Sequence, residues 1–282
     1  LFGGIKRIGS VAETLVPFMA LLYVLLAVGL IFMNAGKLPA VFASIFAGAF
    51  NPKAVTGGVV GSMFTSMTKG VSRGIFSNEA GLGSSVMVHS NSDVVEPVKQ
   101  GMWGIFEVFA DTFVVCTMTA LVVLTSGFIN LDTGLAVEGT SDATLVAQAF
   151  GNVFGQAGDW FIAIAMLLFA FTTVLGWSHY GGKAVEYLFG NIGTKIYKVI
   201  FVLMIVSGAL MTSSLAWDIS DTFNGLMMIP NLVGVVALSP VVVKITRNYV
   251  NRKIKGKDEE PVLSYDPEIQ AEAAKAVAEG RE

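Results

Sequence analysis

Stretches of about 20 apolar residues, almost free of charge, recur along this chain and constrain its fold more than any other feature. A segment crossing hydrocarbon must satisfy its backbone hydrogen bonds internally, so stretches of this length read as spanning helices. Six are expected, over 11–34, 54–86, 101–127, 159–182, 194–216 and 222–246. Residues 39–49 are apolar but too short to span, and fit an interfacial or re-entrant helix. Composition excludes the other classes. Of 282 residues, 54% are hydrophobic and 14% charged, against about 25% charged in a soluble domain. A disordered chain is polar, a disulfide scaffold needs more than the lone Cys116, and a nucleic-acid binder shows a basic excess where this chain has a net charge of −3. A soluble globule can bury many apolar residues, but not in runs of twenty. The fold class expected is an all-α integral membrane protein lying in a lipid bilayer.

The charges are unevenly spread. Of 18 basic and 21 acidic residues, 14 lie in 250–282. Residues 1–248 therefore read as the membrane region and 249–282 as a charged tail. Lys and Arg mark the cytoplasmic side of a membrane protein. With span one starting inside, twelve basic residues up to Lys257 fall inside. Only Lys37 and Lys53 fall outside, and Lys69 and Arg73 lie within span two. The tail is then cytoplasmic. The loop 128–158, with Asp132, Glu138 and Asp142 and no base, is extracellular. In the tail, Asp266-Pro267 is a helix cap with proline at the first helical position, ahead of a run rich in Ala, Glu and Lys. This helix reads as a solvated stalk. The opening Leu1-Phe2-Gly3-Gly4-Ile5 resembles the end of a preceding span, so the chain reads as the C-terminal part of a longer, transporter-sized protein.

Span two carries the strongest chemical signal. Five glycines, several hydroxyls and two bases between Gly57 and Gly74 make a poor continuous membrane helix. A break there, centred on 64–68, frees carbonyls for cations and amides for carboxylates. Close helix packing at the glycines is the alternative. In span four, Thr172 and Thr173 are adjacent hydroxyls, with Trp177 one turn beyond Thr173. They fit either back-bonding to the preceding turn or a Na⁺ site built from neutral oxygens. Asp111 and Glu107 are intramembrane acids in span three, Glu107 reading equally as a partner for Lys69 or Arg73. His89 and His179 lack ligand-like spacing, and Pro230 should kink span six.

The stretch Arg73-Gly74-Ile75-Phe76-Ser77-Asn78-Glu79-Ala80-Gly81-Leu82-Gly83-Ser84 resembles the signature of the alanine/glycine:cation symporter (sodium:alanine symporter) family. Gly3-Gly4-Ile5-Lys6-Arg7-Ile8-Gly9, Thr172-Thr173-Val174-Leu175-Gly176-Trp177-Ser178 and Asn224-Gly225-Leu226-Met227-Met228-Ile229-Pro230-Asn231 resemble other family segments in the same order. His89-Ser90-Asn91 departs from the alanine-rich run expected after the signature. The resemblance implies a leucine-transporter-type fold of two inverted five-helix repeats. This chain would supply the last helix of the first repeat and all of the second, and the missing N-terminal half would be a necessary partner. Span two would be a broken core helix. Phe64, Met67 and Thr68 would face substrate, with Thr65 and Ser66 offering oxygens at the break. Thr173 with Thr172 would hold Na⁺, and Trp177 would wall the substrate. The function implied is Na⁺-coupled symport of alanine or glycine by rocking of helix bundles. The rivals are a related carrier with another substrate, a non-transporting glycine-packed subunit, and an intramembrane enzyme using Asp111 or Glu107.

Overall fold

The computed structural model describes residues 4–50, 58–140 and 144–280, with side chains from residue 15 in its first helix and from residue 63 in its third. Lys53, Asp142, Gly57 and the first three residues, all used above, lie outside the described residues. The helices are α1 (Gly4–Met33), α2 (Leu38–Phe50), α3 (Gly58–Asn78), α4 (Val86–His89), α5 (Pro97–Phe109), α6 (Thr117–Ser126), α7 (Leu145–Phe154), α8 (Gln156–Ala209), α9 (Ser213–Tyr249) and α10 (Pro267–Ala278). Among the described residues, four helical stretches are long and apolar enough to cross a membrane: Leu15–Met33, Pro97–Ser126, Gln156–Ala209 and Ser213–Ile254. They make the chain an integral membrane protein. Helix α2, with 13 residues, falls short of a span, as its sequence implied.

Two compact units are formed, one of Leu1–Arg73 with Asp111–Leu210 and the other of Gly74–Ala110 with Met211–Glu282. In the first, α1 buries Met19, Tyr23, Ala27 and Leu30, a helical stripe at three- and four-residue spacing. Tyr23, Ala27 and Leu30 cluster with Val122 of α6, Ala149 and Phe150 of α7, and Ile162 of α8. The Phe150 ring stacks on Tyr23 at 6.0 Å between centroids. The Tyr23 hydroxyl is satisfied by Thr119 at 2.6 Å, whose own hydroxyl donates to Val115 O. Lys37 donates to Thr125 O at 2.9 Å, a cation on a carbonyl of the last turn of α6. Large apolar side chains on the outer faces, such as Phe18, Leu25 and Phe32 of α1, are exposed, as a hydrocarbon solvent allows.

Expected spans four and five both fall within α8. Its 54 residues are two helices joined at Gly190, whose φ of 67° and ψ of −168° are non-helical. Sixteen residues of straight helix cover about 24 Å, yet the Tyr197 ring packs against Gly181, so the second arm folds back on the first. Expected span two departs from its reading. Helix α3 is continuous from Gly58 to Asn78, with no break at 64–68. The Thr68 hydroxyl donates to the Phe64 carbonyl within that stretch. A glycine inside a helix costs about 1 kcal/mol and need not end it. The helix ends instead after Asn78, where Glu79, Gly81 and Gly83 take positive φ.

In the second unit the tail is docked. Asp266 caps α10 by accepting from the Glu268 and Ile269 amides, as its sequence implied. The stalk reading is corrected, because polar bonds and burial tie the tail to the end of α9. Asn248 of α9 donates to Glu260 O at 2.8 Å and accepts from the Val262 amide at 2.9 Å. Gln270 accepts from the Leu263 and Ser264 amides and donates to Pro261 O. Leu263 and Ala276 are buried.

Candidate functional site

Helix α3 presents Phe64, Met67 and Thr68 on one face, because positions three and four apart share a face. Phe64 and Met67 are 62% and 59% exposed, and Thr65, Ser66 and Thr68 are exposed with them. On the first arm of α8, Thr172 is half-buried and its hydroxyl bonds back to Leu168 O and Phe169 O, both at 3.0 Å. Thr173 is exposed, and its hydroxyl has no hydrogen-bond partner among the described residues. Trp177 is half-buried, edge-on to Tyr180 at 5.6 Å. Among the described residues the structure presents two separate fragments, an α3 face and an α8 face, and α3 is not packed along α8. The Thr172 hydroxyl donates its proton to the backbone and keeps its oxygen lone pairs, while that of Thr173 makes no hydrogen bond within the described residues.

A second concentration of polar groups lies in the other unit, where the signature leaves α3. Gly83 has φ 77°, and the Asn231 Oδ1 stands 2.6 Å from where a Cβ would sit. Only glycine permits both the left-handed backbone and that approach. The Asn231 amide donates to Gly81 O at 2.9 Å, tying this turn to α9. Within the turn, Ser84 donates to the Glu79 carboxylate at 2.6 Å, and both Ser84 and Leu82 are buried. The expected kink residue Pro230 lies within a helix that stays continuous, and its neighbour Asn231 makes the tertiary contact. The sequence offered one signal for this turn, the spacing Gly81-Leu82-Gly83 just after a helix. The Glu107 carboxylate lies 3.3 Å from His89 Nε2, and His89 Nδ1 meets the Gln100 amide at 2.7 Å. Asp111 sits in a π-turn, Ala110–Cys116, with the Cys116 thiol 3.8 Å away. Such turns insert a residue into a helix and recur at functional sites.

The described residues include no cluster of three or more His, Cys, Asp or Glu able to hold a metal ion. Among the expected hydroxyls, those of Thr65, Ser66 and Thr173 are exposed and make no hydrogen bond within the described residues.

Comparison with known proteins bears on the whole. The profile of the sodium:alanine symporter family matches residues 1–263. The sodium/alanine symporter AgcS of Methanococcus maripaludis is 40% identical over 252 residues, covering 88% of this chain and 53% of that protein. The probable sodium/glutamine symporter GlnT of Bacillus subtilis is 37% identical over 269 residues, covering 94% and 54%. The sodium/proton-dependent alanine carrier protein of Bacillus sp. strain PS3 is 35% identical over 272 residues, covering 92% and 60%. The chain spans about half the length of the curated relatives it matches. These are names of transporters, which removes the enzyme reading. With a family profile matched over residues 1–263 of 282, this chain belongs to the sodium:alanine symporter family.

Proposed function

We propose that this chain is part of a carrier that moves alanine, glycine or a similar small neutral amino acid inward across the cytoplasmic membrane, driven by Na⁺. The observation that carries this reading is the 40% identity with a sodium/alanine symporter over 252 residues. In this reading Thr173, with Thr172 behind it, offers oxygens to Na⁺. Phe64, Met67 and Trp177 wall the side chain of the substrate, and Thr65, Ser66 and Thr68 supply polar contacts. Helix α3 is continuous through 64–68, so the contacts offered there come from side chains. Transport proceeds by rocking of helix bundles about a leucine-transporter-type inverted repeat. The tail lies in the cytoplasm.

The test is uptake of labelled alanine by vesicles containing the full-length carrier, with Na⁺ replaced by choline. Uptake should collapse without Na⁺ and be reduced by unlabelled glycine. Uptake indifferent to the replacement sinks the coupling ion. Glutamine competing better than alanine sinks the substrate class, and it is the outcome suggested by the name of the Bacillus subtilis relative.

A further inference from the structure

We propose that a cavity at the tail-side end of α9 binds the head group of an anionic phospholipid. The observation is one of length and charge. Helix α9 has no charged residue from 222 to 243, a rise of about 33 Å, close to the hydrocarbon thickness of about 30 Å. Lys244 is the first charge past that stretch, and Arg247 follows one turn on, along the same face. Both side chains therefore stand at the level of the phosphates in the adjoining leaflet. They border a cavity of about 450 Å³, walled by Pro240 and Val243 toward the apolar stretch and by Asn251 and Val262 on the tail side.

The charge balance favours an anion. Glu259 lines the same cavity and accepts from the neutral Asn251 amide at 2.9 and 3.2 Å, so the two bases and one carboxylate leave a net positive charge. The next base, Arg252, is committed to Glu96. Neither Lys244 nor Arg247 has an ion-pair or side-chain hydrogen-bond partner among the described residues. A phosphodiester fits two open cations, and the start of an acyl chain fits the wall of Pro240 and Val243. A zwitterionic lipid brings its own cation and gains less. Free phosphate has the charge but no chain to lay on the apolar wall. Basic pockets at a membrane surface hold acidic head groups by this logic.

Native mass spectrometry of the intact protein in detergent, titrated with phosphatidylglycerol, phosphatidylcholine or inorganic phosphate, tests the proposal. Phosphatidylglycerol adducts should dominate, and Lys244→Gln/Arg247→Gln should weaken them by about 30-fold. Lys255→Gln/Lys257→Gln, which removes the same charge outside the cavity, should leave them nearly unchanged. Where the first pair is not recovered folded, Lys244→Gln alone should weaken them by about fivefold. Lys244→Arg/Arg247→Lys should keep the affinity of the unaltered protein. Equal binding of the two lipids, or full phosphatidylglycerol affinity in the cavity variants, overturns the proposal. Displacement of the lipid by inorganic phosphate at matching concentration also overturns it, because the acyl contact would then contribute nothing.

Discussion

Glu96 and Arg252, 156 positions apart, meet fork to fork at 2.9 and 3.0 Å. Their side chains are 1% and 9% exposed. Arg252 Nε also reaches Asn248 Oδ1 at 2.8 Å, so the pair anchors the same asparagine that holds the tail. Desolvating two ions is costly, and removing one partner leaves the other buried and unpaired, at about 3–5 kcal/mol. Glu96→Gln is therefore expected to lower the thermal midpoint of the purified protein sharply. Glu96→Leu/Arg252→Met, which removes both charges, should recover most of the loss. Equal losses in the single and double variants would mean that the pair contributes only its packing. The hydroxyls of α8 separate at the same scale. Thr172 already bonds its own helix, whereas Thr173 does not. We predict that Thr173→Val, which removes an exposed oxygen, raises the Na⁺ concentration for half-maximal uptake by the carrier, and that Thr172→Val, whose oxygen is half-buried, does so less. An unchanged Na⁺ dependence in Thr173→Val would make both threonines packing groups.

Among elements, α8 depends most on a single residue. Gly190 occupies a backbone region that is essentially closed to residues with a side chain, although nothing lies within 4 Å of its would-be Cβ. The cost of substitution is thus backbone strain without a clash. Gly190→Ala should destabilise the protein by about 1–3 kcal/mol, read as a lower thermal midpoint. The same substitution at Gly208, which is helical and equally unobstructed, should stabilise slightly. A midpoint unmoved by Gly190→Ala would show that the reversal tolerates other geometries. Helix α3 is the opposite case. Its internal glycines Gly70 and Gly74 sit in open space and leave it helical. It ends only where three positive-φ residues and the Asn231 contact take over the backbone.

For the molecule as a whole, the orientation we propose in the membrane rests on where the bases lie. The segment after α6 has Asp132 and Glu138, while the end of α9 and the start of the tail carry Lys244, Arg247, Lys253, Lys255 and Lys257. With the exposed Cys116 first replaced, a cysteine at Glu138, which is exposed, should react with an impermeant thiol reagent on intact cells. One at Glu272 should react only after permeabilisation. The reverse pattern would invert the assignment of the tail to the cytoplasm.

Membrane class, the shortness of α2 and the cap of α10 were determined by the sequence alone. Each rests on a local property: the length of an uncharged run, or an Asp-Pro pair preceding good helix formers. The places of spans one, three and six were legible for the same reason. The hinge at Gly190 was legible only as a polar gap, since glycine permits a reversal without requiring one. Tertiary structure decided the rest. The interruption after α3 falls at 79–85 because Asn231 and the buried Ser84 stabilise the turn there, whereas 64–68 keeps its internal hydrogen bonds. Glu107 meets His89, Glu96 meets Arg252, and the tail docks through Asn248. A sequence shows which side chains need partners. Which partner each one gets is a non-local choice, fixed only when distant segments are packed together.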